Sequence, residues 1–135
     1  MQSPKKTIRQ ECGKCTQILA AYVFGSRAKA RAIPGSDLDL ALLLQEDAET
    51  DFDLLGFKVN LQGLLDNEVD IVILNSASEP LKHQVRRDGK IVFDRNPEKR
   101  KHFEIMSRKY YQDFLHLHKI YMHRFKKSLG VDNGG

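Results

Sequence analysis

The sequence contains no apolar run near the roughly 18 residues that a membrane span requires. Ile18–Phe24 and Leu38–Leu44 each span only seven residues, the second interrupted by Asp39, so a membrane protein is excluded and a soluble chain is expected. A secretory signal is also missing, because neither an apolar stretch nor a small-residue cleavage site follows Met1-Gln2-Ser3-Pro4-Lys5-Lys6. A cytoplasmic location is the resulting expectation. Cysteine is scarce. Cys12 and Cys15 make one Cys-x-x-Cys with no second pair, and they precede a strand-like run instead of sitting at a strand-to-helix turn. Two ordinary thiols are expected there, not a zinc or redox site. Internal repeats and low-complexity tracts are absent, and 135 residues leave room for a single domain.

What the chain does have is charge, unevenly placed. The formal net charge is only +4, yet residues 36–70 carry ten acids and one base, whereas residues 95–127 carry ten bases and three acids. An acidic stretch of that density repels itself unless a cation sits there or the acids are spread and solvated.

Hydrophobic periodicity predicts alternating elements with short connections. A short helix is expected over 7–17, a strand over Ile18–Phe24 ending at Gly25-Ser26, a short helical stretch over Arg27–Arg31 and a turn at Pro34-Gly35. Leu38–Leu44 reads as a buried strand with Asp37 and Asp39 at its start. Asp51 or Asp53 is placed to cap a helix reaching Leu65. A third strand follows at Val69–Leu74, then a helix over Glu79–Arg87 capped by Ser76 or Ser78, a turn at Asp88-Gly89 and a short strand at Lys90–Phe93. From Pro97 to about Leu129 the pattern is helical, with Phe103, Met106, Tyr110, Phe114, Leu117, Tyr121 and Phe125 at three- and four-residue steps. This stripe is expected to pack on the domain or on a partner. The fold class is α/β (α+β), a small mixed sheet flanked by helices with a long C-terminal helix. Residues 1–96 are expected to form the core, 97–129 a helical extension of it, and 130–135 a disordered tail.

Three features bear on chemistry. Gly25-Ser26 ends a strand before a stretch containing Arg27, Lys29 and Arg31, and backbone N–H groups with the Ser26 hydroxyl can hold phosphate oxygens there; Gly-Ser is also a common turn. Asp37 and Asp39 point to one face of their strand, roughly 6.5–7 Å apart along the backbone. Such a pair is unfavourable without a divalent cation, unless both acids simply sit at an exposed strand end. Asp70 opens the apolar run Val69–Leu74, where an uncompensated carboxylate is costly. If that strand lies beside Leu38–Leu44, Asp70 joins Asp37 and Asp39, and three carboxylates suit two Mg²⁺ ions.

Gly25-Ser26, ten intervening residues, Asp37-Leu38-Asp39 and a downstream Asp70 resemble the nucleotidyltransferase fold of the DNA polymerase beta superfamily. The pattern is most similar to the minimal nucleotidyltransferases, and among these to the MntA-type adenylyltransferase antitoxins. Tyr22–Ala28 and Ser36–Leu40 carry the likeness. Where family members often read Gly-Ser-Arg-Ala-Arg-Gly, this chain has Lys29 and Ala30. The resemblance implies that Gly25 and Ser26, helped by Arg27 and Lys29, hold the phosphates of ATP. It implies that Asp37, Asp39 and Asp70 bind Mg²⁺ in a two-metal site, and that Asp70 also helps to deprotonate the attacking hydroxyl. It further implies AMP transfer to a tyrosine of a HEPN-domain ribonuclease toxin, with which the chain would form a hetero-oligomer as its antitoxin. Transfer to RNA or to a small hydroxyl compound, and a non-catalytic antitoxin acting by binding, are the alternatives. A toxin role is disfavoured, because Arg108 and His116 are too far apart for the HEPN ribonuclease motif; His116, His118 and His123 then simply border the stripe.

Overall fold

The computed structural model describes residues 3–25 and 37–130. The segment after Gly25, with the expected helix at Arg27–Arg31 and the Pro34-Gly35 turn, lies outside the described residues. Helix α1 spans Pro4–Lys14, earlier than the 7–17 expected. Ser3 starts it by accepting from the Lys6 amide at 3.2 Å, and Pro4 suits its first turn. It stops because Cys15 is extended. Strands β1 (Ile18–Phe24) and β2 (Leu38–Leu44) fall where periodicity places them. Helix α2 (Leu54–Leu65) is capped by Asp53, whose carboxylate accepts from the Gly56 amide at 3.0 Å. Strand β3 covers Val69–Ile73 and runs into a single 3-10 turn at Leu74–Ser76 that periodicity does not reveal. Ser78 caps helix α3 (Glu79–Asp88), and strand β4 (Lys90–Asp94) leads to helix α4 (Pro97–Ser128).

The strands form one mixed sheet in the order β3-β2-β1-β4. β1 is antiparallel to β2 and β4, and β2 is parallel to β3. Alternation along β2 sets the two layers. Leu38, Leu40, Leu42 and Leu44 pack with Ile8 and Cys12 of α1 and Leu61 of α2. Ala41 and Leu43 face the other way, with Tyr22, Phe24, Val85 of α3 and Phe103 of α4. A strand buried on both faces reads as a continuous apolar run, which is why β2 is so easily seen in the sequence.

Polar ties hold the helices to the sheet. The Arg95 guanidinium donates to the carbonyls of Ile18, Cys12, Cys15 and Gly13 at 2.9–3.3 Å, closing the open end of α1. Arg100 bonds Asp94 at 2.8 Å and Glu104 at 2.9 Å, and Glu104 accepts from the buried Tyr22 hydroxyl at 2.8 Å. Burial and the Glu104 carboxylate push the Tyr22 phenol well above its usual range.

Helix α4 outruns the body it packs on. At 1.5 Å per residue its 32 residues extend about 48 Å, against about 23 Å for a seven-residue strand. The apolar stripe divides accordingly: Phe103 and Met106 are partly covered, while Leu117 and Tyr121 are each 64% exposed and Phe125 46%. Among the described residues no helix is long and apolar enough to cross a membrane.

Candidate active site

Strand pairing brings the sequence-predicted residues to one edge of the sheet. Phe24 at the end of β1 pairs with Asp39, and Asp39 pairs with Asp70 on the parallel neighbour β3. Since Leu38 and Leu40 enter the α1/α2 layer, Asp37 and Asp39 belong to the opposite face. Val69 and Ile71 likewise point into that layer and leave Asp70 on the face of Asp39. Asp37 and Asp70 are exposed and Asp39 is half-buried.

Gly25 closes the site from the β1 side. Its φ of 77° lies in the left-handed region, and a Cβ added there would overlap the Asp39 carboxylate. Both facts require glycine: the backbone turns sharply while touching the acid. Ser26, Arg27 and Lys29 lie outside the described residues.

The electrostatics follow from this packing. The Asp39 carboxyl is held above its usual range, first by burial and then by the charges of Asp70 and Asp37. Asp39 thus feels both of the other carboxylates. Among the described residues no group of three or more His, Cys, Asp and Glu side chains is gathered closely enough to define a metal site. The chemistry of the donor set nevertheless fits a hard divalent cation, because the groups are all carboxylate oxygens and their repulsion on Asp39 is what such a cation relieves.

Residues away from this edge behave as ordinary structure. Cys12 and Cys15 are free thiols, and burial above all, with Cys15 adding, pushes Cys12 up to about 12. A thiol so hard to ionise is a poor ligand or nucleophile. His116, His118 and His123 are exposed along α4, His118 stacking on Phe114 with ring centroids 5.7 Å apart. One cluster escapes sequence reading altogether: Arg86 of α3 and Arg108 of α4 line a common pocket. Nothing in their spacing announces it.

The mixed sheet, the helices on both faces and the carboxylate edge define a nucleotidyltransferase, and the chain belongs to the polymerase beta nucleotidyltransferase family, whose pattern matches residues 6–98. Solved structures extend the likeness over nearly the whole chain. A chain of a toxin–antitoxin crystallised with AMP-PNP superposes with a TM-score of 0.76 at 23% identity, covering 90% of this chain and 97% of that one. A chain of the toxin–antitoxin MntA-HepT gives 0.70 at 22% identity, with 90% and 96% covered. A chain from the complex of the tri-AMPylated Shewanella oneidensis HEPN toxin with its MNT antitoxin gives 0.70 at 22% identity, with 90% and 95% covered. At these identities the similarity establishes the fold. No curated protein matches the chain.

Proposed function

We propose that the chain is a Mg²⁺-dependent adenylyltransferase antitoxin that transfers AMP from ATP to a tyrosine hydroxyl of a HEPN-domain ribonuclease toxin. The observation that carries the chemistry is the register Phe24–Asp39–Asp70, which puts the carboxylates on one face at one sheet edge against Gly25. The acceptor and nucleotide are suggested by the solved relatives, which include a toxin–antitoxin with AMP-PNP and a tri-AMPylated HEPN toxin with its antitoxin.

In this reading Asp37, Asp39 and Asp70 would hold Mg²⁺, which when bound would supply charge neutralisation for the triphosphate and the departing pyrophosphate. Gly25 lets the backbone approach the β- and γ-phosphates, with Ser26, Arg27 and Lys29 completing the cradle. The acceptor oxygen forms a bond to the α-phosphorus while the bond to the bridging oxygen breaks and pyrophosphate leaves. The hydroxyl proton passes to the carboxylate of Asp70, whose exposed position makes it accessible to an incoming side chain.

Incubating the purified chain with the product of the neighbouring gene, Mg²⁺ and ATP labelled in the α-phosphate should label that product. Asp39→Asn should reduce labelling at least about a hundredfold. Absence of transfer by intact protein, or full transfer by the variant, defeats the reading. Adding tRNA to the same reaction separates an RNA acceptor from the protein one. The exposed distal half of α4 favours a second contribution, neutralisation by binding; the double variant Asp37→Asn/Asp39→Asn would then still protect cells from the toxin.

A further inference from the structure

A cationic pocket of about 290 Å³ opens between α3 and α4, lined by His83, Arg86, Arg87, Arg108, Tyr111 and Gln112. It is lined by three guanidinium groups and no carboxylate. Its place follows from the topology. α3 leaves the far end of β3 and returns to β4, whose Lys90 pairs with Val23, so the last turn of α3 reaches the sheet edge where Gly25 lies. α3 and α4 also cover the same face that carries Asp39 and Asp70.

The three arginines are not equivalent. Arg87 is neutralised within its own helix by Asp88, at 3.0 and 3.1 Å. Arg86 reaches only His83 Nδ1 at 3.4 Å through Nη2, while its buried Nε and Nη1 have no hydrogen-bond partner. Glu79 and Glu104 attract it without bonding it; Lys82 donates to Glu79, and Arg100 and Tyr22 donate to Glu104. Burial and then the Arg108 charge lower the Arg86 pKa, so the two cations face each other at a cost. The pocket wall is firm: His83 stacks on Tyr111 with centroids 4.0 Å apart and planes within 2°, and Arg86 sits 5.8 Å over the same ring.

We propose that this pocket is a phosphate-binding subsite, in which Arg86 and Arg108 grip the oxygens of a phosphoryl group. Arg86 Nη2, held only by a long contact to His83, and the exposed Arg108 guanidinium converge from adjacent helices on one pocket, a concentration of positive charge that suits a multiply charged tetrahedral oxyanion better than a single carboxylate. The volume, at the lower bound of ligand pockets, suits one or two phosphoryl groups and not a whole nucleoside triphosphate. The phosphoryl group can come from free pyrophosphate or from the phosphodiester of an oligonucleotide. The proposal is independent of which acceptor the transfer centre uses.

The test follows the His83 ring signals by hydrogen–carbon NMR, in EDTA so that no cation draws phosphate to the carboxylates. Inorganic phosphate, pyrophosphate and a short oligoadenylate are titrated separately, with acetate as a carboxylate control. Saturable movement of His83, with affinity reduced about tenfold or more in Arg108→Gln, supports the subsite, and the ligand that acts at the lowest concentration names the source. Arg108 is exposed, so its replacement spares the core. No response to any phosphate, an undiminished response in Arg108→Gln, an equal loss in the distal control Arg124→Gln, or an equal response to acetate overturns it.

Discussion

Asp39 concentrates the conflicts of this molecule in one side chain. Its folded-state pKa is raised, so its proton favours the folded form: that stability is fully present below the unfolded value, about 3.9, and is lost as pH rises through the folded value. Asp39→Asn fixes the uncharged state and should raise the Tm at pH 7 by roughly 1–4 °C, the gain vanishing as pH falls toward 3. Mg²⁺ should raise the Tm of the intact protein and leave the variant unmoved; a variant less stable than the parent at pH 7 contradicts this. Gly25→Ala should act on the same carboxylate from the other side. Its Cβ strikes Asp39 at a positive φ, so a loss of about 1–3 kcal/mol in urea unfolding is expected together with weakened ATP binding. These residues were legible in the sequence because alternation dictates that Asp37 and Asp39 share a face, and only the pairing of β2 with β3 was needed to add Asp70. Arg86 and Arg108 were not, since they meet through the docking of two helices that no local pattern specifies.

At the scale of elements, short polar side chains mark where the helices begin. Asp53, Ser78 and Asn96 each accept an amide of the first turn they precede, and α2, α3 and α4 begin there. α1 begins at Ser3-Pro4, ahead of the helix expected over 7–17, because the Ser3 hydroxyl accepts the Lys6 amide and Pro4 suits the first turn. Its other end depends on a residue 80 positions away: Arg95 bonds the Gly13 and Ile18 carbonyls and adds a second donor to those of Cys12 and Cys15, which already accept the Cys15 and Ile18 amides. Such a long-range cap has no sequence signature. Arg95→Ala should therefore cost about 2–3 kcal/mol in urea unfolding, and Arg95→Lys should recover only part of it, because an ammonium cannot serve carbonyls in several directions from one plane. Full recovery by lysine would mean that charge at the end of α1, and not the fork, is what counts.

Across the whole molecule, the two charge excesses read at the outset occupy different places. Three of the ten acids of residues 36–70 belong to the carboxylate edge, whereas the ten bases of residues 95–127 lie on Arg95 and along α4. The helix carries Lys119, Arg124, Lys126 and Lys127 past the ring ladder Tyr111–Phe114–His118, alongside the exposed Tyr121 and Phe125. Among the described residues nothing in the sheet layers packs on this end, so its apolar and basic groups contribute little to folding and remain for association. Deleting residues 119–135 should accordingly change stability by no more than about 0.5 kcal/mol and leave ATP binding intact. Association with a HEPN toxin of the kind proposed should fall about tenfold or more, and the slowing of association by salt should diminish, since four cations have been removed. Surface binding kinetics at 50 and 300 mM salt would measure both effects. Unchanged affinity, or a truncated chain that fails to fold, would place the docking surface on the body of the domain and make the projecting helix part of the fold.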